Sequence, residues 1–299
     1  MGRKITILLF FVFSIMSVRS QQTVIFSQYF NNSVIYNPAI SGSTDNSIFI
    51  LQTRQQWLGF EGAPLSANAS YNGALNNRSA IGGYIEHDRT FPSNQTNLNI
   101  NYAYHVPLNA DDTYVSFGIG AKAMYYYLDF ESGQIPPGDD PAYTDKSFEQ
   151  ILGDASSGVY LYNRRFYAGY SVLNMLQSSF NNEVSYGFSN NNVERVYYGI
   201  LGYKIRLDRD WHLEPSVLIR HLENGEPEYN FSTRVFYTEQ ICTGVSIGSN
   251  SSLSLYVGTN ADKIQFGYSF DHYFGEISQY QLGTHEFTMS IRIPNNRKY

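Results

Sequence analysis

The chain has 299 residues, a net charge of −6 and 15% charged residues, well below the roughly 25% of ordinary soluble domains. Aromatics reach 16%, with 26 Tyr and 20 Phe beside 2 Trp, and the mean hydropathy is −0.31. This balance excludes a helical membrane protein and argues against an α-rich cytosolic enzyme. It also argues against a nucleic-acid partner, since no basic stripe exists to meet phosphate.

Arg3 and Lys4 precede a short apolar run from Ile5 to Met16. Val18 and Ser20 then stand three and one residues before a cut at Ser20–Gln21. This predicts a secretory signal peptide over 1–20. A membrane anchor would need about 20 apolar residues, more than the run supplies. The leader holds three cations and no anion, so the mature chain carries 17 Lys+Arg, 26 Asp+Glu and a net charge of −9. Cys242 is the single cysteine, which rules out a disulfide framework and a thiolate metal cluster.

Residues 21–47 precede the strand periodicity. Tyr36-Asn37-Pro38 marks an ordered non-strand stretch, because Pro cannot donate to a ladder. It reads either as a turn before the first strand or as a plug or periplasmic docking segment.

From 48 to 293 the chain alternates at period two. Over 97–104, Leu98, Ile100, Tyr102 and Tyr104 alternate with Asn97, Asn99, Asn101 and Ala103. Over 264–271, Ile264, Phe266, Tyr268 and Phe270 alternate with Gln265, Gly267, Ser269 and Asp271. Each such run has one apolar and one polar face. Fourteen strands are expected, starting near Ile48, Leu65, Ala80, Gln95, Tyr114, Ser156, Phe166, Val196, Trp211, Tyr229, Ile241, Leu253, Lys263 and His285. Two connections are long, 129–155 and 174–195, and a polar tail, 294–299, closes the chain.

Such strands bury one face either inward in a soluble sandwich or outward against lipid in a barrel with a polar lumen. The Asn-, Gln-, Ser- and Gly-rich face suits a lumen, and the Tyr- and Phe-rich face suits aromatic girdles. The expected fold is therefore all-β, a single antiparallel transmembrane barrel of about 14 strands. A secreted sandwich is the competing architecture. In the barrel the Ile264–Phe266–Tyr268–Phe270 face meets lipid. Arg54, alternating with Gln52 and Gln56, faces the lumen, either solvated or paired with a carboxylate such as Glu214 or Asp271.

Motifs for common enzyme chemistry are missing: GxSxG, HExxH, Walker A and GxGxxG do not occur. Asp271-His272 and His285-Glu286 are neighbours that point to opposite faces of a strand, so neither is a ready metal clip. Asp139, Asp140, Asp145 and Asp154 fit no EF-hand spacing and read as a solvated acidic loop. No catalytic, cofactor-binding or metal-binding residue is expected.

Several pieces recur in a recognisable order. They are Phe26-Ser27-Gln28-Tyr29, Tyr36-Asn37-Pro38-Ala39, and Arg54-Gln55-Gln56-Trp57 followed by Gly62-Ala63-Pro64. Arg165-Phe166-Tyr167-Ala168-Gly169-Tyr170-Ser171-Val172 stands in the middle. Phe266-Gly267-Tyr268-Ser269-Phe270-Asp271 and Leu282-Gly283-Thr284-His285-Glu286 come last. The set resembles the PorP/SprF family of the Bacteroidetes, linked to type IX secretion and gliding motility, over about 21–293. Phe30-Asn31-Asn32 departs from the family pattern, which has a hydrophobic pair there. The resemblance implies a non-enzymatic outer-membrane barrel with no small-molecule substrate. Its partners would be outer-membrane lipid, the type IX machinery and a large exported surface protein. A channel or hydrophobic-solute transporter is the alternative function. Gly62-Ala63-Pro64 reads as a tight turn. His285-Glu286 opens the last strand, at the barrel seam, at the lumen rim or as ordinary strand-end polarity.

Overall fold

The computed structural model describes residues 25–108, 112–129, 147–180 and 192–294. The leader at 1–20 and most of the tail lie outside them. Strands β1 (Asn46–Gln55), β2 (Leu65–Ala74), β3 (Ser79–Thr90), β4 (Ser93–Pro107) and β5 (Tyr114–Leu128) come first. Next are β6 (Phe148–Tyr162), β7 (Phe166–Leu173), β8 (Val196–Tyr203), β9 (Ile205–Arg206) and β10 (Trp211–Leu222). Then follow β11 (Glu228–Tyr237), β12 (Ile241–Gly248), β13 (Ser252–Ala261), β14 (Ile264–Tyr273) and β15 (Thr284–Pro294). The two-residue β9 continues β8 past Lys204, and both pair with β10, so the segments form fourteen staves. Each stave pairs antiparallel with its sequence neighbour. β15 pairs with β1, from Asn46↔Pro294 to Gln55↔His285, and closes the ring.

Packing in this barrel is inverted relative to a soluble protein. On β14, Gly267, Ser269 and Asp271 are buried, while Phe266 is 48% exposed. On β4, Asn97, Asn99 and Asn101 are buried between exposed Leu98, Ile100 and Tyr102. Ile119 and Ile247 likewise stand out from the wall. A soluble sandwich cannot expose so continuous an apolar belt. In lipid, a closed ring leaves no unpaired edge and the belt faces its natural solvent. Among the described residues no helix is long and apolar enough to cross a membrane.

The two rims differ. Short turns such as 163–165, 238–240 and 262–263 share one rim with the start of β1 and the end of β15. Longer connections, 56–64 and 274–283, share the other, where β7 also ends and β8 begins. In transmembrane barrels the short-turn rim is periplasmic and the long-loop rim extracellular. β4, β5 and β6 have 15 residues each, against 8 in β7, β8 and β12. One side of the wall therefore stands taller at the extracellular rim.

The strand starts fall within two residues of the sequence expectation, with one exception. β6 begins at Phe148, eight residues before Ser156, so the long connection before it is shorter than the sequence suggested. Along 148–154 the alternation weakens because the strand rises past the apolar belt. Outward Glu149 accepts a bond from the Tyr125 hydroxyl at 2.7 Å, and inward Leu152 is buried.

Candidate functional site

The lumen is occupied by the chain's own N-terminal segment. Phe26, Gln28, Tyr29, Asn32, Ala39 and Ser41 are each 0 or 1% exposed. The segment folds as two single 3-10 turns, Ser33–Ile35 and Pro38–Ile40. Pro38 sits at the first helical position, where its missing N–H costs nothing. Asn37 caps that turn by accepting the Ala39 N–H at 2.9 Å.

Its first residues are held by a carboxylate on the last stave. Glu286 accepts the Ser27 N–H at 2.8 Å and the Gln28 N–H at 3.0 Å. Gln52 Nε2 donates to the same carboxylate at 2.8 Å and Arg54 pairs with it at 2.9 Å. Arg54 also pairs with Asp271 at 2.7 Å, and the Ser27 hydroxyl donates to Asp271 at 2.6 Å. Two buried carboxylates thus share one guanidinium. The extra negative charge is met by backbone N–H groups, an amide and a hydroxyl, as burial of charge demands. Arg54 and Glu286 are register partners across the β1–β15 seam. Arg54 therefore faces the lumen and binds Asp271, one of the two carboxylates expected for it.

Glu214 has a different cation, Arg234, at 2.6 Å. The Arg234 guanidinium lies 4.0 Å from the Phe30 ring centroid, in range for a cation–π contact. Nearby, the Tyr29 and Ser216 hydroxyls are 2.8 Å apart, and Tyr167 donates to Glu214 at 3.2 Å. Asn32 donates to Gln52 and Asn68 and accepts from Ser70 at 2.8 Å.

Toward the periplasmic rim the wall grips the segment by its carbonyls. Ser116 donates to Ala39 O at 2.6 Å, and Ser171 to Tyr36 O at 2.6 Å. His105 donates from Nε2 to Ser41 O at 2.9 Å, its Nδ1 accepting from Tyr162 at 2.8 Å. Gly42 N–H donates to Asn72. Lumen-facing glycines leave the room. A Cβ on Gly118 would overlap the Pro38–Ala39 peptide, and one on Gly158 would overlap the Asn37 side chain. Gly267 lies against Gln28.

The sequence motifs thus fall in three places: the lumen, the extracellular rim and the outer face. Phe26 to Tyr29, Tyr36 to Pro38, Arg54, Gly267, Ser269 and Glu286 meet in the lumen. Gln56, Trp57, Gly62, Ala63, Pro64 and Gly283 lie at the extracellular rim. There Gln56 N–H donates to Pro64 O at 2.9 Å, Trp57 N–H to Thr284 Oγ1 at 3.2 Å, and Leu58 N–H to Gly283 O at 2.9 Å. Gly62 (φ 73°) and Gly283 (φ 99°) take left-handed backbone. Tyr268 and His285 turn to the outer face and bond each other at 2.8 Å. Asp154 lies in β6 and accepts the Leu176 N–H at 2.9 Å. Asp139, Asp140 and Asp145 lie outside the described residues. Sequence reading missed Asn32, Ser116, Arg234, Gly118 and Gly158. Their sole signal was parity, since each wall residue sits on the polar face of its strand. Among the described residues no group of three His, Cys, Asp or Glu can hold a metal.

A family model described as "Type IX secretion system membrane protein PorP/SprF" matches residues 18–291. The chain belongs to the PorP/SprF family. Among solved structures, this PorP/SprF chain is similar to a TodX deltaS2S3 mutant, a monoaromatic hydrocarbon channel. The TM-score is 0.53 at 9% identity, covering 89% of this chain and 94% of that one. The Ralstonia pickettii toluene transporter TbuX gives 0.51 at 10% identity, covering 87% and 93%. At such identities the likeness is one of fold: the PorP/SprF chain shares an outer-membrane barrel architecture with these transporters. No curated protein sequence matches it.

Proposed function

We propose that this protein is a non-enzymatic outer-membrane anchor of the type IX system, exported by a cleaved signal peptide. It supports secretion or surface attachment of one large exported protein, such as a gliding adhesin. Family membership supports the secretion role. The observation that carries the anchor reading is the occupied lumen. A solute crossing the barrel would have to displace a segment tied to β1, β2, β5, β7, β14 and β15. A rigid, filled barrel presents its rims instead. The extracellular loops, among them the long 129–147 and 174–195 connections, hold the exported protein, since functional contacts concentrate on long loops. The periplasmic rim docks the machinery. Such a role needs neither nucleophile nor cofactor, and no small-molecule substrate.

Surface labelling of exported proteins in a deletion strain tests this. The expected result is loss of one large protein from the surface, with other outer-membrane functions intact. An unchanged surface proteome together with impaired uptake of an apolar solute would replace the anchor with a transporter.

A further inference from the structure

The lipid-facing wall is not evenly filled. A furrow of about 920 Å³ crosses it from β12 to β3, over the β1–β15 seam. Its floor is made of small side chains: Thr53, Ala67 and Ala69. Leu51, Ile85, Phe266 and Phe287 form its banks. The register explains the shape. Met289, Leu51, Ala69 and Ile85 are cross-strand partners in one row, and Phe287, Thr53, Ala67 and His87 in the next. The furrow is the gap between two rows, deepened where the residues are small.

Seven staves at about 4.8 Å spacing make it ~30 Å long. Strands in such barrels tilt by about 35–45°, so the furrow runs obliquely. It starts near the extracellular end of β3 and ends near the periplasmic start of β12. A single acyl chain spans about half of a hydrocarbon core of ~30 Å, so a chain hanging from the outer leaflet fits within it. At the upper end, His87 and Arg89 are exposed on the same outer face of β3. His87 is tied to Thr96 at 2.9 Å. Arg89 makes no ion pair among the described residues. An unpaired guanidinium two residues past the furrow's end suits a phosphate headgroup, to which Arg is the fitting donor.

We propose that this furrow is a specific lipid site: one acyl chain of an anionic outer-leaflet lipid lies between the two rows, its phosphate at Arg89. The occupant is a lipid because the furrow faces hydrocarbon along its length and meets a cation only at its extracellular end. The site is independent of the secretion role.

The test uses the full-length protein in nanodiscs with phosphatidylglycerol carrying a photoactivatable acyl chain, against the matching phosphatidylcholine. Label should concentrate on peptides containing Leu51, Ala69 and Phe287, with the anionic lipid preferred. Ala69→Trp, which fills the floor, should reduce that label about tenfold. Arg89→Glu should leave acyl labelling in place but abolish the anionic preference. The heated-versus-unheated gel shift verifies that both variants are folded. Equal labelling on the opposite wall of β6 to β8, or full labelling of folded Ala69→Trp, overturns the proposal. So does a photoreactive residue at position 69 that captures a protein rather than lipid in cells.

Discussion

Replacing Glu286 with Gln should release the start of the luminal segment while leaving the barrel closed. The carboxylate uses both oxygens: Oε1 takes Gln28 N–H and Gln52 Nε2, and Oε2 takes Ser27 N–H and Arg54. An amide has one acceptor. Whichever way it turns, its NH₂ group faces two donors, which lose their acceptor in a buried site. Hydrogen bonds to a charged group are worth about 1.5–3 kcal/mol each. Removing one member of a buried ion pair costs about 3–5 kcal/mol. Taking about 3–5 kcal/mol for the whole change, the undocked population rises by roughly two to four orders of magnitude. Hydrogen exchange at the Ser27 and Gln28 amides reads that population directly. The assay is exchange followed by mass spectrometry of the peptide over 25–36, with strand amides of β13 as the internal reference. Exchange should accelerate at 27 and 28 and stay slow in β13. If it changes by less than about fivefold (under about 1 kcal/mol) while the gel shift persists, the Glu286 cluster is not what holds the segment.

Gly118→Val should displace the Pro38–Ala39 turn and cost about 1–3 kcal/mol by overpacking. Gly199→Ala, whose new Cβ would meet Ile219 at an ordinary 3.7 Å, should stay within about 0.5 kcal/mol. Thermal unfolding of both proteins in detergent compares them. Phe266→Arg places a charge on the lipid face and should cost about 2–4 kcal/mol near the midplane. Gln265→Glu, facing inward beside Arg292 at 2.9 Å, should assemble normally, as judged by yield of the heat-modifiable form. Arg234→Met strands buried Glu214 and should cost about 3–5 kcal/mol. Adding Glu214→Gln should recover most of the lost stability in the same melting assay.

The barrel was legible in the sequence because lipid imposes one rule on every stave, apolar outward, and that rule writes a period of two. The facing of Ile264 to Asp271 followed from parity alone. Where lipid ends, the signal ends: the extracellular part of β6 carries Glu149 outward and Leu152 inward, so its start was placed too late. The luminal segment obeys no period. Its residues answer to a cavity whose walls come from strands scattered along the chain, from Asn32 and Gln52, 20 residues apart, to Ser27 and Glu286, 259 residues apart. Tyr36-Asn37-Pro38 announced an ordered turn, but Gly118 and Gly158, which surround it, carried no mark beyond lying on polar faces. Arg54 was read correctly as a lumen residue, since parity fixes direction. Its choice of Asp271 over Glu214 depended on ring closure, which local sequence does not encode.

The β1–β15 seam also constrains the order of assembly. The luminal segment is made first, and the carboxylate that fixes its start is made almost last. Glu286 takes its place only as the final stave approaches β1, and Arg54 reaches it from the other lip of the same gap. Once the ring is shut, the wall leaves no lateral path, and the segment can reach its place only along the barrel axis through a rim. Zipping the seam therefore completes the Glu286–Arg54 clamp on the segment, and a chain truncated before β15 loses both together.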